Sequence, residues 1–300
     1  MNKMLIAGAN GFIARHLTEF FTKQGWEVAG LARRRNGLHE KCRYVQWDGM
    51  EIDDWVTEID QCDVLVNMAG RSINCRHTEE NKRQILSSRV DSTALLGQAI
   101  GQSENPPPLW INGSASGIYQ KTNDVAHGED GPHGEGFIAD VVKAWEERFF
   151  SAEIDSSVRR VALRTTMVIA DEPGNPFRIL RKLAKFGLGG KAGSGKQMVS
   201  WIHIEDLCRA VQFIIDHQQI EGPVNLAAPD AITNAEMMSR FRKSVGMPVG
   251  IPAPALGVHL GAFLMGTAPE LILDSYWVEP KRLLEHGFEF CHLKMKPSVW

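Results

Sequence analysis

Gly8, Gly11 and Ala14 stand in a Gly-x-x-Gly-x-x-Ala spacing, directly after an apolar run (4–7) and before a helical pattern with Phe12, Ile13, Leu17, Phe20 and Phe21 on one side. A glycine turn between a strand and a helix suits an anion. The first helical turn has unpaired N–H groups and a partial positive charge, and residues without a Cβ let a pyrophosphate approach the backbone. The spacing is one residue longer at its start than the Gly-x-Gly-x-x-Gly dinucleotide fingerprint, and a purely structural turn also uses glycines. Gly8, Asn10, Gly11, Phe12 and Ile13 are the first cofactor-contact candidates.

A second apolar run (26–32) ends on Arg33, Arg34 and Arg35. Where the second strand of a nicotinamide-binding sheet ends, an acidic side chain accepts from the ribose 2′-hydroxyl, whereas arginine pairs with a 2′-phosphate. No acid stands here, so Arg33, with Arg34 beside it, points to NADP(H) over NAD(H). The plain alternative is a solvated basic loop. Small residues recur after later apolar runs, as Asn67-x-Ala69-Gly70 and as Gly113-Ser114.

Strands are expected at 4–7, 26–35, 43–48, 62–70, 109–114, 158–165 and 224–227, with helices over 79–100 and 206–216. Strands alternating with helices imply right-handed βαβ units in an open parallel sheet, an α/β fold. Ligands of such a sheet lie at the carboxyl ends of its strands, where Gly8, Arg33, Ala69, Gly70 and Ser114 all fall.

The 300 residues are 43% hydrophobic, enough for a sizeable core. A formal net charge of -3 offers no electrostatic case for nucleic acid or an anionic membrane surface. Cys42, Cys62, Cys75, Cys208 and Cys291 are scattered and never spaced Cys-x-x-Cys, which fits reduced thiols in the cytoplasm and no metal framework. The first apolar run is too short for a signal peptide. The most lipid-like segment (255–268), between Pro254 and Pro269, falls short of the roughly 20 residues a bilayer requires, so a helix buried in the carboxyl-terminal part is expected.

Further motifs carry a family likeness: Lys82-Arg83-x-Ile85-Leu86-x-Ser88-Arg89-Val90; Ser114-Ala115-Ser116-Gly117-x-Tyr119; Trp145-Glu146; Leu163-Arg164-Thr165; Phe186-Gly187-Leu188-Gly189-Gly190; Ser200-Trp201-Ile202-His203-Ile204-x-Asp206; and Pro280-Lys281-Arg282-Leu283-Leu284. Over nearly its whole length the chain resembles the extended short-chain dehydrogenase/reductases, in the atypical branch known as epimerase family proteins. The resemblance implies a Rossmann-type, doubly wound parallel sheet binding NADP(H) over 1–170, with 204–228 returning to it. A smaller substrate domain would comprise 171–203 and 229–300. It implies a small-molecule substrate, leaves room for a homodimer, and has the backbone from Thr165 to Val168 facing the nicotinamide amide.

Typical members of this family use Tyr-x-x-x-Lys, the tyrosine exchanging a proton at the reacting oxygen and the lysine lowering its pKa. Here Tyr44, Tyr119 and Tyr276 are followed four residues on by Asp48, Asn123 and Pro280. By position Phe137 takes the tyrosine slot, Val141 the lysine slot and Arg89 the usual asparagine. Of the usual residues only a serine survives, as Ser114 or, with a shifted loop, Ser116. Tyr119 is the remaining proton-donor candidate. His203 is expected to hold its loop, with Asp206 capping the following helix. Asp124, His127, Glu129 and His133 read as a solvated loop. The basic stretch 171–195 reads either as a binding segment for a phosphate-bearing substrate or as a solubilising lid.

Two functions follow. One is an NADP-dependent oxidoreductase or epimerase acting on a sugar-like or nucleotide-linked substrate. The other is an NADP(H)-binding regulator or redox sensor without turnover, a reading favoured by the lost tyrosine and lysine and by the cell-division label some relatives carry.

Overall fold

The computed structural model describes residues 1–172 and 175–296; of the basic stretch above, Pro173 and Gly174 lie outside the described residues, as do 297–300 of the expected second domain. Its strands are β1 (Lys3–Ala7), β2 (Glu27–Ala32), β3 (Arg43–Gln46), β4 (Val64–Asn67), β5 (Leu109–Ala115), β6 (Arg159–Thr165), β7 (Met167–Ile169), β8 (Met198–Val199), β9 (Trp201–His203), β10 (Gly222–Leu226) and β11 (Ile232–Thr233). The helices are α1 (Phe12–Lys23), α2 (Glu79–Gln102), α3 (Phe137–Phe150), α4 (Pro176–Lys185), α5 (Ile204–Asp216), α6 (Asn234–Ser244), α7 (Ala255–Met265), α8 (Glu270–Leu273) and α9 (Lys281–Glu285).

Seven strands form one sheet in the order β3-β2-β1-β4-β5-β6-β10, every neighbouring pair parallel. This is a Rossmann-type doubly wound sheet. The chain reverses its direction of travel between β1 and β4, and that switch point opens a crevice at the strand carboxyl ends. Successive strand residues face opposite sides, and both sides are covered, so the strands read as unbroken apolar runs. Met4, Ile6, Val64, Val66, Ile111 and Leu163 pack against Leu17 and Phe21 of α1 and Leu207, Val211 and Ile214 of α5. On the other side Leu5, Leu65, Trp110 and Ala162 pack against Leu96 and Ile100 of α2 and Phe149 of α3. The Trp110 and Phe149 rings meet edge to face with centroids 4.6 Å apart.

A third core lies around the β7–β9 pair, α4 and α6, built from Ile169, Phe177, Trp201, Ile232, Met237, Met238 and Phe241. α6 begins with a capping box between Thr233 and Glu236. The segment 289–292 is strapped to the start of α5: Asp206, fully buried, accepts from the Cys291 and His292 N–H groups, both at 2.8 Å.

Two expectations are corrected. Asp206 is not the cap of α5; His203 is, its Nδ1 accepting from the Glu205 N–H, because Asp206 is already committed to the strap. The 255–268 segment is not a buried helix. In α7 only Val258 and Ala262 are buried, whereas Leu256 is 82% and Leu264 75% exposed. Among the described residues no helix is long and apolar enough to cross a membrane.

Candidate functional site

Gly8 follows β1 and touches the turn after β4. Its φ is +74°, and a Cβ there would come within 2.8 Å of the Ala69 backbone, so both conformation and space require glycine. Gly11 precedes α1, whose first turn has neither a capping side chain nor an acidic residue, so nothing on the protein competes with an anion there. Phe12 and Ile13 open the helix half-buried, with Gly11 and Gly70 exposed. The Asn10 Nδ2 donates to the Arg34 and Asn36 carbonyls and ties the glycine turn to the arginine loop. Arg33 and Arg34 are exposed, and their side chains have no hydrogen-bond or ion-pair partner among the described residues. The glycine turn, Ala69, Gly70 and the two arginines therefore follow the carboxyl ends of three adjacent parallel strands, and this set of exposed backbone and cationic groups is compatible with a nicotinamide dinucleotide.

Thr165 ends β6 and Val168 is the middle residue of β7, Thr165 Oγ1 donating to the Leu163 carbonyl and the Val168 carbonyl accepting from Asn175 Nδ2. A cavity of about 900 Å³ lies elsewhere, at the amino-terminal ends of the strands beside Trp26, Pro108, Arg159 and Arg282. Arg159 there donates to the Ile215 and Ile220 carbonyls and serves the fold.

The hydroxyls of Ser114 and Tyr119 are both engaged within the protein. Ser114 is buried and its Oγ donates to Glu146 Oε1 at 2.5 Å, so in this arrangement it has only lone pairs left and cannot donate to a substrate oxygen. Tyr119 is 1% exposed; its hydroxyl donates to Asn225 Oδ1 at 2.7 Å and accepts from Arg164 at 2.8 Å. Burial holds its phenol above the ordinary tyrosine value. Ser116 is half-buried and free of side-chain hydrogen bonds among the described residues. It sits in a single turn packed on the start of α3, where a Cβ on Gly117 would run into Ile138.

Behind Ser114 lies a polar network that sequence reasoning missed. Glu146 takes Arg164 in a two-pronged ion pair, and Arg164 also donates to the Glu129 carbonyl. Burial alone would lower the Arg164 guanidinium; Glu146 overrides it and holds the group above its ordinary value. Glu129 accepts from the backbone N–H groups of Asn225 and Arg282, and its carboxyl is raised by burial. His127 is buried too, its ring against the Gln120 carbonyl. The loop expected to be solvated is thus half structural: Asp124 and His133 are exposed, Glu129 and His127 are not.

Phe137, expected in the tyrosine slot, opens α3 half-buried, and Val141, expected in the lysine slot, is buried. Arg89 is largely buried with no carboxylate partner among the described residues. It donates to the Arg71 and Ile85 carbonyls, and burial lowers it to about 10.

With this geometry in place, the similarities are specific. Residues 4–227 match the model of the NAD dependent epimerase/dehydratase family. The chain belongs to that family. Residues 253–297 match a second model, described as a domain of unknown function. An epimerase family protein of Staphylococcus haemolyticus is 32% identical over 298 residues, covering 99% of this chain and 97% of its own. The crystal structure of a human epimerase family protein with NADPH superposes with a TM-score of 0.86 at 28% identity, over 99% of this chain and 97% of that one. A nucleoside-diphosphate sugar epimerase from Corynebacterium glutamicum gives 0.77 at 28% identity, over 99% of this chain and 57% of that one. This family member therefore has the Rossmann-type sheet of its epimerase relatives.

Proposed function

We propose that the protein binds NADP(H) in the crevice between β1, β2 and β4 and acts as an oxidoreductase or epimerase on a hydroxyl or carbonyl of a sugar-like or nucleotide-linked substrate. The observation that carries the cofactor choice is the unpaired pair Arg33 and Arg34 at the end of β2, with no acid beside them. The human relative crystallised with NADPH supports it. Gly8 and Gly11 would admit the pyrophosphate, the α1 amino terminus would take its charge, and the arginines would clamp the 2′-phosphate. The cofactor supplies hydride chemistry when bound. Ser116 is the serine left with a hydroxyl to offer a substrate. The five cysteines, all unpaired, are in keeping with a reducing compartment such as the cytoplasm.

Phe137 and Val141 favour a second reading, a protein that keeps the cofactor without turning it over, as a redox sensor or regulator. Fluorescence titration with NADPH and NADH tests the cofactor choice. Parent protein is expected to prefer NADPH, and Arg33→Ala to weaken NADPH by about 10- to 100-fold, the range of a charge-assisted contact. Equal affinity for the two coenzymes would overturn the arginine argument. If bound NADPH is never oxidised by a panel of aldehydes, ketones and nucleotide sugars, the second reading holds.

A further inference from the structure

α2 and α3 both start at the carboxyl-terminal edge of the sheet, after β4 and β5, and pack side by side. Two cations on one face of α2 lie over two rings of α3. The Lys82 ammonium is 5.6 Å from the centre of the Phe137 ring, and the Arg89 guanidinium is 5.2 Å from that of Trp145. About two helical turns separate the members on each helix, so the contacts form an outer and an inner rung. The inner rung is structural, since Arg89 is buried and its Nη1 is committed to backbone carbonyls. The outer rung stands at the site. The Lys82 side chain is 33% exposed and its carboxylate partner, Glu79 at 2.9 Å, is 80% exposed, a pair that water weakens.

Phe137 itself is fixed from the other side by the His77 ring, edge on at 5.1 Å, and His77 Nε2 is turned to the Ile73 carbonyl. The tyrosine slot thus holds a ring with no polar atom, and an ammonium lies over it. Nearby, Arg71 donates to Asn81 and Arg76 to the Phe263 carbonyl, the latter lying over the Phe263 ring, and among the described residues no other Lys or Arg lies over Phe137.

We propose that Lys82 holds the reacting oxygen of the substrate, its ammonium supplying from α2 the positive charge that the lysine missing at Val141 would supply from α3. This rests on the reading that the cleft receives a carbonyl or carbinol substrate beside a nicotinamide. An ammonium offers three N–H donors and stabilises negative charge developing on oxygen, and the Phe137 ring beneath keeps water from one side of it. The substrate class is then an aldehyde, ketone or secondary alcohol whose oxygen enters over Phe137.

Phe137→Tyr tests this without a substrate, because its phenol oxygen is a reporter placed in that space. The new phenol is read by pH titration of the ultraviolet difference between Phe137→Tyr and the parent protein. An ammonium roughly 6 Å away favours the phenolate, so it is expected to titrate about half to one unit below the usual value near 10. In Phe137→Tyr with Lys82→Met the value is expected to return to 10 or above, and with Lys82→Arg to stay low. A phenol that titrates alike with and without the lysine overturns the proposal. NADPH titration of the parent protein separates the two readings: an unmoved phenol in a protein that binds NADPH defeats the role of Lys82 alone, whereas absence of NADPH binding defeats the cofactor reading whatever the phenol does.

Discussion

Arg164 at the end of β6 and Glu146 on α3 meet in a buried two-pronged pair, Nε to Oε1 at 2.8 Å and Nη2 to Oε2 at 2.7 Å, with both side chains less than a tenth exposed. Glu146 also receives the Ser114 hydroxyl, so this serine at the end of β5 is joined to a structural ion pair. Glu146→Gln leaves Arg164 buried without a compensating charge and is expected to cost about 3–5 kcal/mol. Ser114→Ala removes one bond to a carboxylate, about 1.5–3 kcal/mol. Urea unfolding of both variants checks this. A loss for Glu146→Gln no larger than for Ser114→Ala would show that the pair contributes little to the fold.

Tyr119 separates a structural hydroxyl from a catalytic one. Tyr119→Phe leaves Asn225 Oδ1 without its donor and Arg164 Nη1 with one acceptor fewer, for a loss of about 1–2 kcal/mol in unfolding free energy. NADPH affinity is expected to stay as in the parent protein, because the hydroxyl is buried away from the crevice. A stable variant with weakened NADPH binding would return Tyr119 to the site.

The start of α5 gives the protein an acid-sensitive corner. Burial, and then the neighbouring His292 ring, depress His203 to about 4 from the ordinary 6.5; Asp206 and Glu205 pull the other way and His16 adds to the depression. The folded state thus favours neutral His203, and between pH 6.5 and 4 the unfolded chain binds the proton more readily. Stability falls as pH drops through that window. His203→Asn keeps a capping side chain and removes the titration. Comparing urea midpoints at pH 7 and pH 4.5, the parent is expected to lose about 1–2 kcal/mol more than the variant, allowing for solvent screening of a partly exposed ring. Parallel losses would assign the acid sensitivity to other groups.

The sheet was legible in the sequence because parallel strands covered on both faces must be apolar in their middles, and the runs at 4–7, 64–66 and 109–111 contain nothing else. The glycine turn and the arginines were legible for a related reason: strand ends in an open parallel sheet share one edge, so position along the chain translates into position at the crevice. The network of Ser114, Glu146, Arg164, Tyr119 and Asn225 was not, because its members meet across strands whose neighbours are set by the order of the sheet. α7 misled because a helix without charges reads as buried, although its outward side chains, Leu256, Leu260, Phe263 and Leu264, are exposed. At α5 the sequence pointed to Asp206 as the cap, and the strap from Cys291 and His292, distant in sequence, takes its carboxylate instead.

The Asn10 side chain has a consequence for engineering. Because its amide grips the carbonyls of Arg34 and Asn36, the turn that would receive the pyrophosphate and the loop that would recognise the adenosine ribose move as one mechanical unit. Grafting another coenzyme preference onto residues 33–37 alone would pull on the glycine turn. A transplant that preserves affinity must carry Asn10, and a backbone path matched to it, as part of the exchanged module.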